Sequence, residues 1–188
     1  DAKTDFGEIH LVGQYEYDQL PQTIRRVLRH YIPSFFQPNP HYNTATGKAN
    51  YSFTLRLHDT KFINSLLKTD IVSSHAIRLA GLVNERQNEI DLHINAPDVT
   101  YSGQQIKNLV LNLKSEPQGL QTRISAERKG EKGPHVIINA QGLIADNAIN
   151  SDISFRIPGT SPVFGNVNSI ASFSRRHGDL ETHLHLNP

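Results

Sequence analysis

Histidine is the residue type best suited to chemistry in this chain, with ten copies, and His183-x-His185 puts two imidazoles on one face of a strand. A catalytic zinc site needs three protein ligands and a structural one four. With no third ligand assigned beside them, His183 and His185 read as exposed strand histidines. Asp146-Asn147-x-x-Asn150-x-Asp152 has some of the oxygens of a calcium loop, but its acidic spacing is wrong, and it lacks the central Gly and the closing Glu. It reads as a hairpin turn with polar flanks. Glu89, Asp91 and Asp98 could serve acid–base work only if held out of water. Glu89 and Asp91 alternate with Ile90 and Leu92, which places both carboxylates on a wetted face where they keep ordinary acidity. No G-x-S-x-G, phosphate-binding P-loop or G-x-G-x-x-G occurs. The sequence assigns no catalytic residue, no metal ligand and no cofactor, and the chain reads as a non-enzyme.

Composition narrows the field further. Net charge is +1 with both signs interspersed, so no basic block marks a nucleic-acid partner. Arg175-Arg176-His177 before Gly178 reads as a solvated turn. The absence of cysteine excludes a disulfide framework and a thiolate metal site. Apolar residues make up 37%, which fits a sheet with one greasy side better than a thick core. No apolar run is long enough to cross a bilayer. The chain opens Asp-Ala-Lys without an initiator Met, so it is expected to be a processed form or a piece of a longer protein.

The elements that must position any site are mostly strands. Period-two alternation runs through Ile9–Tyr17, Tyr51–Leu57, Ile77–Gly81, Ile90–Ala96, Leu109–Leu113, Leu120–Ala126, Val136–Ala140, Ile153–Ile157 and Leu180–Leu186. One face apolar and one wetted is the mark of antiparallel sheet. Short polar connectors such as Asn84–Asn88, Ser102-Gly103, Glu116–Gly119, Gly130–Pro134, Asp146-Asn147 and His177–Asp179 give a meander. Two weakly similar stretches, QNEIDLHI and DNAINSDISF, each run from an Asn-bearing turn into a strand.

Asp18–Phe36 breaks the pattern with Leu20, Ile24, Val27, Leu28 and Tyr31 at helical spacing. Asp18 is its expected N-cap, Pro21 sits in its first turn and Pro33 stops it. Arg25, Arg26, Arg29 and His30 lie on the other face. The expectation is a helix that caps the open end of a curved sheet, rather than one lying on an anionic membrane. A second short helix is expected at Thr60–Lys68 around Phe62, Ile63, Leu66 and Leu67, and a loop at Gln37–Lys48. The chain reads as one β-rich unit over 1–188. A sub-boundary near residue 72 would separate a strand–helix part (1–72) from a repetitive meander (73–188).

The segments GEIHLVGQYEY (7–17), LPQTIRRVLRHYIPSFF (20–36) and SHAIRLAGLVNERQNEIDLHINAPDVTYSGQQIKNLVLNL (74–113) together resemble TamB-like translocation and assembly modules, Bacteroides-type members of the AsmA-like family. The resemblance rests on patterned strands and carries no site residue across. It implies a mainly β fold: an antiparallel meander curved into a taco-like half-pipe groove. It implies an internal segment of a periplasm-spanning protein anchored in the inner membrane. The expected roles are outer-membrane protein assembly, protein secretion and phospholipid transport between the membranes. The expected partners are phospholipid acyl chains, flanking segments of the same chain and, through the full-length protein, an outer-membrane BamA-family barrel.

The groove lining expected from the alternation is Ile90, Leu92, Ile94, Leu109, Leu111, Leu113, Ile124, Val136, Ile138, Ile153 and Phe155. About eight residues of strand span roughly 26 Å, wide enough to line a channel for acyl chains. Gly81, Ala96, Ala126, Ala140 and Gly142 would let such a sheet bend. The alternatives are a closed β-sandwich binding module, in which the same residues form a dry core, and a hydrolase on a β scaffold.

Overall fold

The computed structural model describes residues 1–5, 7–36, 47–61, 64, 70–129 and 133–187. Two short strands open it, β1 (Ala2–Thr4) and β2 (Gly7–Gln14), followed by helix α1 (Leu20–Tyr31). Then come β3 (Asn50–Leu57), β4 (Val72–Ser73), β5 (Ile77–Asn84) and β6 (Glu89–Tyr101). The chain closes with β7 (Gln104–Glu116), β8 (Gly119–Lys129), β9 (Val136–Ala145), β10 (Ala148–Ile157), β11 (Val163–Arg176) and β12 (Asp179–Asn187). All twelve belong to one sheet, in the order β1-β2-β3-β5-β6-β7-β8-β9-β10-β11-β12, with β4 on β6 beyond the start of β5. Every pairing is antiparallel. The mainly β meander expected from the alternation is the observed architecture, and the pairing gives one sheet, not the two of a sandwich. The β3–β5 pairing runs across residue 72.

The tight turns follow from residues that tolerate positive φ. Ser102-Gly103, Asp146-Asn147 and His177-Gly178 each hold both central residues at φ between 48° and 97°. That geometry suits two-residue hairpins because its twist matches the strands. Asp146-Asn147 is thus a hairpin turn, as its sequence implied.

The core explains why α1 exists. Thr23, Val27 and Tyr31, spaced four apart, are its buried residues, with Leu20, Ile24 and Leu28 packed beside them. The cluster beneath α1 gathers Leu11 (β2), Tyr51 (β3), Val83 (β5), Ile90 (β6), Leu120 (β8) and Ile144 (β9). Leu113 (β7), Ile149 (β10) and Phe173 (β11) pack against it. A smaller cluster holds Leu57, Ile77, Ala96 and Val99.

Several expectations need correction. The N-cap is Gln19 instead of Asp18, because a single 3-10 turn at Tyr17–Gln19 precedes the helix. Tyr15 and Tyr17 lie past the end of β2, where Tyr15 packs edge-on against both Tyr17 and Tyr51. Arg26 does not join Arg25, Arg29 and His30 on the wetted side, since it turns inward to Glu85. Arg175 is no mere turn residue: its Nε donates to Ser34 O at 2.8 Å. The second helix rested on Phe62, Ile63, Leu66 and Leu67, which lie outside the described residues, as do 37–46 of the expected loop and 130–132 of the expected turn.

One irregularity crosses the middle of the sheet. Pro97 has no N–H for the ladder, and beside it the line of β4 and β5 is broken at 74–76. Next to it, on β7, Asn108 sits at φ 51° where the pairing with β8 slips by one residue. Ala96 and Val99 nevertheless enter the same core cluster, so the bulge restores the apolar residues to one side.

Candidate functional site

Residues opposite one another on paired strands project to the same face. The register therefore assembles a row that crosses nine strands: Ile9, Leu55, Leu79, Ile94, Leu111, Ile124, Ala140, Ile153 and Val167. Every member is apolar. Most are half-buried against their neighbours, and Ile124 is 36% exposed. Flanking rows on this face carry Leu92 beside Leu113, and Ile138 beside Phe155.

All eleven residues expected to line a groove fall on this one face. They differ in burial, however. Ile90 is 4% exposed and belongs to the core under α1, so it is no free lining residue, and Leu113 packs on that core as well. Ile94 and Leu109 pack on the smaller cluster. Leu92, Leu111, Ile124, Val136, Ile138, Ile153 and Phe155 belong to neither core. The alternation alone did not nominate Leu55, Leu79, Val167, Leu184 or Leu186 as lining, yet the register adds them. Leu184 and Leu186, on the last strand, are 62% and 55% exposed.

Two glycines fit aromatic rings on the same face. Gly81 is paired with Phe53 and Gly165 with Phe155, and in each case the ring lies where a glycine Cβ would be. Each ring shields bare backbone and fixes the pairing partner.

Helix α1 closes one end of the apolar face. Arg26 Nε donates to Glu85 at the β5–β6 turn, and the Glu85 carboxylate is only 7% exposed. Tyr31 Oη donates to Asn88 O at 2.8 Å and lies 2.8 Å from Ser115 Oγ, next to the β7–β8 turn. Asn147 N, in the β9–β10 turn, donates to Tyr31 O at 3.2 Å, and its Oδ1 accepts from Ser34 N at 2.7 Å. Tyr31 thus binds the Asn-bearing turns of both echoing stretches, QNEIDLHI and DNAINSDISF.

The opposite face is mainly polar, although Val12, Leu82, Phe164 and Ile170 are exposed on it. His93, Asn112, Arg123, Gln141, Asp152, Asn168 and Asn187 form a parallel row there. Two shallow hollows of about 740 and 780 Å³ are lined mainly by this face, around Arg123 and Asp152 and around His10 and Arg78. A twisted sheet is saddle-shaped, so each face carries concave stretches. In the second hollow His10 lies opposite Thr54, but its Nδ1 pairs with the Asp1 carboxylate.

Three of the perturbed ionisable groups are hydrogen-bonded to neighbours, and the fourth, Tyr51, is shifted by burial. The Lys61 amide holds Asp59 below the usual carboxylate range. Hydrogen bonding and charge from Glu116 raise Lys114. Asn108 and His135 lower Glu127 by hydrogen bonding. Burial, with a further push from Glu85, raises the Tyr51 phenol to about 12. Glu89 and Asp91 are exposed, as expected, while Asp98 accepts from Ser74 and Gln105. Glu181 shares the face of His183 and His185, but the described residues contain no group of three histidines or acids able to hold a metal ion.

Neither a family model, nor a curated protein, nor a solved structure matches the chain. The TamB-like resemblance therefore has no support beyond its residue pattern, and function must be argued from the sheet itself.

Proposed function

We propose that the chain is a non-catalytic groove segment that offers its apolar face to phospholipid acyl chains, as the TamB-like resemblance implies. The observation that carries this reading is the unbroken apolar row from Ile9 to Val167, whose half from Leu111 through Ile124, Ala140 and Ile153 to Val167 belongs to neither core cluster. Acyl chains wet such a surface without needing a directed contact, whereas exposing it to water is costly.

A half-pipe form is part of the proposal. Nine strands laid flat would spread the core residues over about 38 Å at about 4.8 Å per step. The 12-residue α1 is only about 18 Å long, yet residues from β2 through β11 meet beneath it. A sheet curled about its apolar side brings them together, and α1 then blocks one end. Within this reading the parent protein works in the periplasm, in phospholipid passage or outer-membrane protein assembly, with a BamA-family barrel as a partner of the full-length chain. One sheet with two outer edges weighs against the sandwich alternative.

The test compares neighbours on opposite faces. A photo-reactive side chain at Leu111 or Ile124 should label a phospholipid in vesicles and in cells. The same probe at Asn112 or Arg123 should not. Labelling of protein alone, or equal lipid labelling from both faces, would overturn the proposal.

A further inference from the structure

On the mainly polar face, the hollow around Arg123 and Asp152 adjoins a further one of about 630 Å³. The two share Gln141 on β9, Asp152 on β10 and Asn168 on β11. Carboxamides dominate the lining, with Asn112, Asn139 and Asn166 in the larger hollow and Gln121 and Asn150 in the smaller. Arg123 and Asp152 are the only charges in either, one of each sign, and Gln141 stands between them in the row.

This composition works against the fold. Asn is depleted from strands, where threonine and other β-branched residues sit better. Asn139, Asn150, Asn166 and Asn168 nevertheless lie within β9, β10 and β11. Nothing among the described residues offsets that cost, for the side chains of Arg123, Asn139, Gln141, Asp152, Asn166 and Asn168 make no hydrogen bond or ion pair there. A local rule broken repeatedly with no internal gain marks a functional surface.

The chemistry of the lining selects the ligand. A carboxamide carries two donors and an acceptor on one planar group, which matches hydroxyls that both donate and accept. One charge of each sign leaves the lining without a net sign, so neither a polyphosphate nor an anionic membrane is favoured. An extended peptide pairs its main chain with a sheet edge, and a sheet face offers it no free main-chain groups. Arg123, Gln141, Asp152 and Asn168 stand on successive strands and cross about 14 Å at about 4.8 Å per step, room for a short run of sugar rings. Val110, Leu143 and Ile170 give apolar contact for ring C–H groups.

We propose that these hollows bind a neutral glycan chain, laid across β8 to β11 with its hydroxyls on the carboxamides. Side chains fixed to strands hold this array without a closing loop. The glycan lies on the face opposite Leu111 and Ile124, so this inference and lipid binding can fail separately.

NMR titration with maltohexaose, cellohexaose and chitohexaose tests it, read at the side-chain NH2 signals. At least one of the three should shift the signals of Gln141 and Asn168 and saturate with a Kd of about 1 mM or tighter. The double variant Gln141→Thr/Asn168→Thr should weaken that binding about tenfold or more, because each substitution removes a hydrogen-bonding group. The same variant should keep or raise Tm, since Thr suits a strand better than Asn or Gln. Arg78→Ala, in the separate hollow, should leave binding unchanged. No saturable shift with any of the three, or binding that the double variant retains, would overturn the proposal. So would a lower Tm for the double variant, which would make the carboxamides structural. A dimer in sedimentation that the double variant disperses would overturn it too, by giving this face to a second copy of the chain.

Discussion

The Arg26–Glu85 pair offers a sharp test of how α1 is held. Replacing Arg26 with Leu leaves a carboxylate that is 7% exposed, with one long hydrogen bond from Ala49 N at 3.4 Å. Removing one partner of a buried pair costs about 3–5 kcal/mol. Arg26 is itself 25% exposed, so water reaches the gap and the lower end applies, about 3 kcal/mol. At about 2–4 °C per kcal/mol for a chain of this size, Tm should fall by roughly 6–12 °C. Replacing both residues with Leu should restore stability to within about 1 kcal/mol of the parent, because no charge then remains buried. Urea unfolding of the parent, both single variants and the double, followed by circular dichroism, yields the coupling energy. A coupling below about 0.5 kcal/mol would refute the reasoning, for the pair would then behave as a solvated one and α1 would be held by apolar contact alone.

Three other outcomes follow from single side chains. The buried Tyr51 hydroxyl has no hydrogen-bond partner, so Tyr51→Phe should be neutral or stabilise by about 1 kcal/mol in urea unfolding. The folded chain keeps the Tyr51 proton up to about pH 12 while the unfolded chain releases it near pH 10, so stability falls with rising pH across that window. Tyr51→Phe should remove that share of the alkaline loss, about 2–3 kcal/mol, read from unfolding curves on either side of the window. Asn147→Ala loses both the Ser34 hydrogen bond and a residue suited to φ 61°, and should cost about 2 kcal/mol, whereas Asn147→Gly should cost about half as much. Gly165→Val drives a side chain into the Phe155 ring and should destabilise by about 2 kcal/mol, while Gly159→Ala, which meets nothing, should be neutral in the same thermal scan.

Much of the fold is legible as period-two alternation because one face of nearly every strand packs or pools apolar side chains. Strand β11 escaped that reading. Its apolar-face residues include Gly165, Ser169 and Ala171, which are too small or polar to register as a hydrophobic pattern, although Phe155 covers one of them. Arg26 was misassigned because helical spacing alone cannot show a partner 59 residues away. The lining residues were legible as a set because every pairing preserves the face. Their unequal burial was not, since it depends on where α1 lands. Pro97 and Asn108 punctuate the sequence plainly, but only the register shows that they keep Ala96 and Val99 together.

The meander also dictates an order of assembly. From β5 onward each strand pairs mainly with its neighbours in the chain, so the ladders can zip hairpin by hairpin without closing a long loop. Helix α1 is different, because its contacts through Ser34 reach 113 residues ahead to Asn147 and 141 ahead to Arg175. Those contacts cannot form until β9 to β11 are in place. An emerging chain can therefore seat the helix on the β5–β6 hairpin early, through Glu85 and Asn88, while the contacts that lock its C-terminal end wait for the last strands.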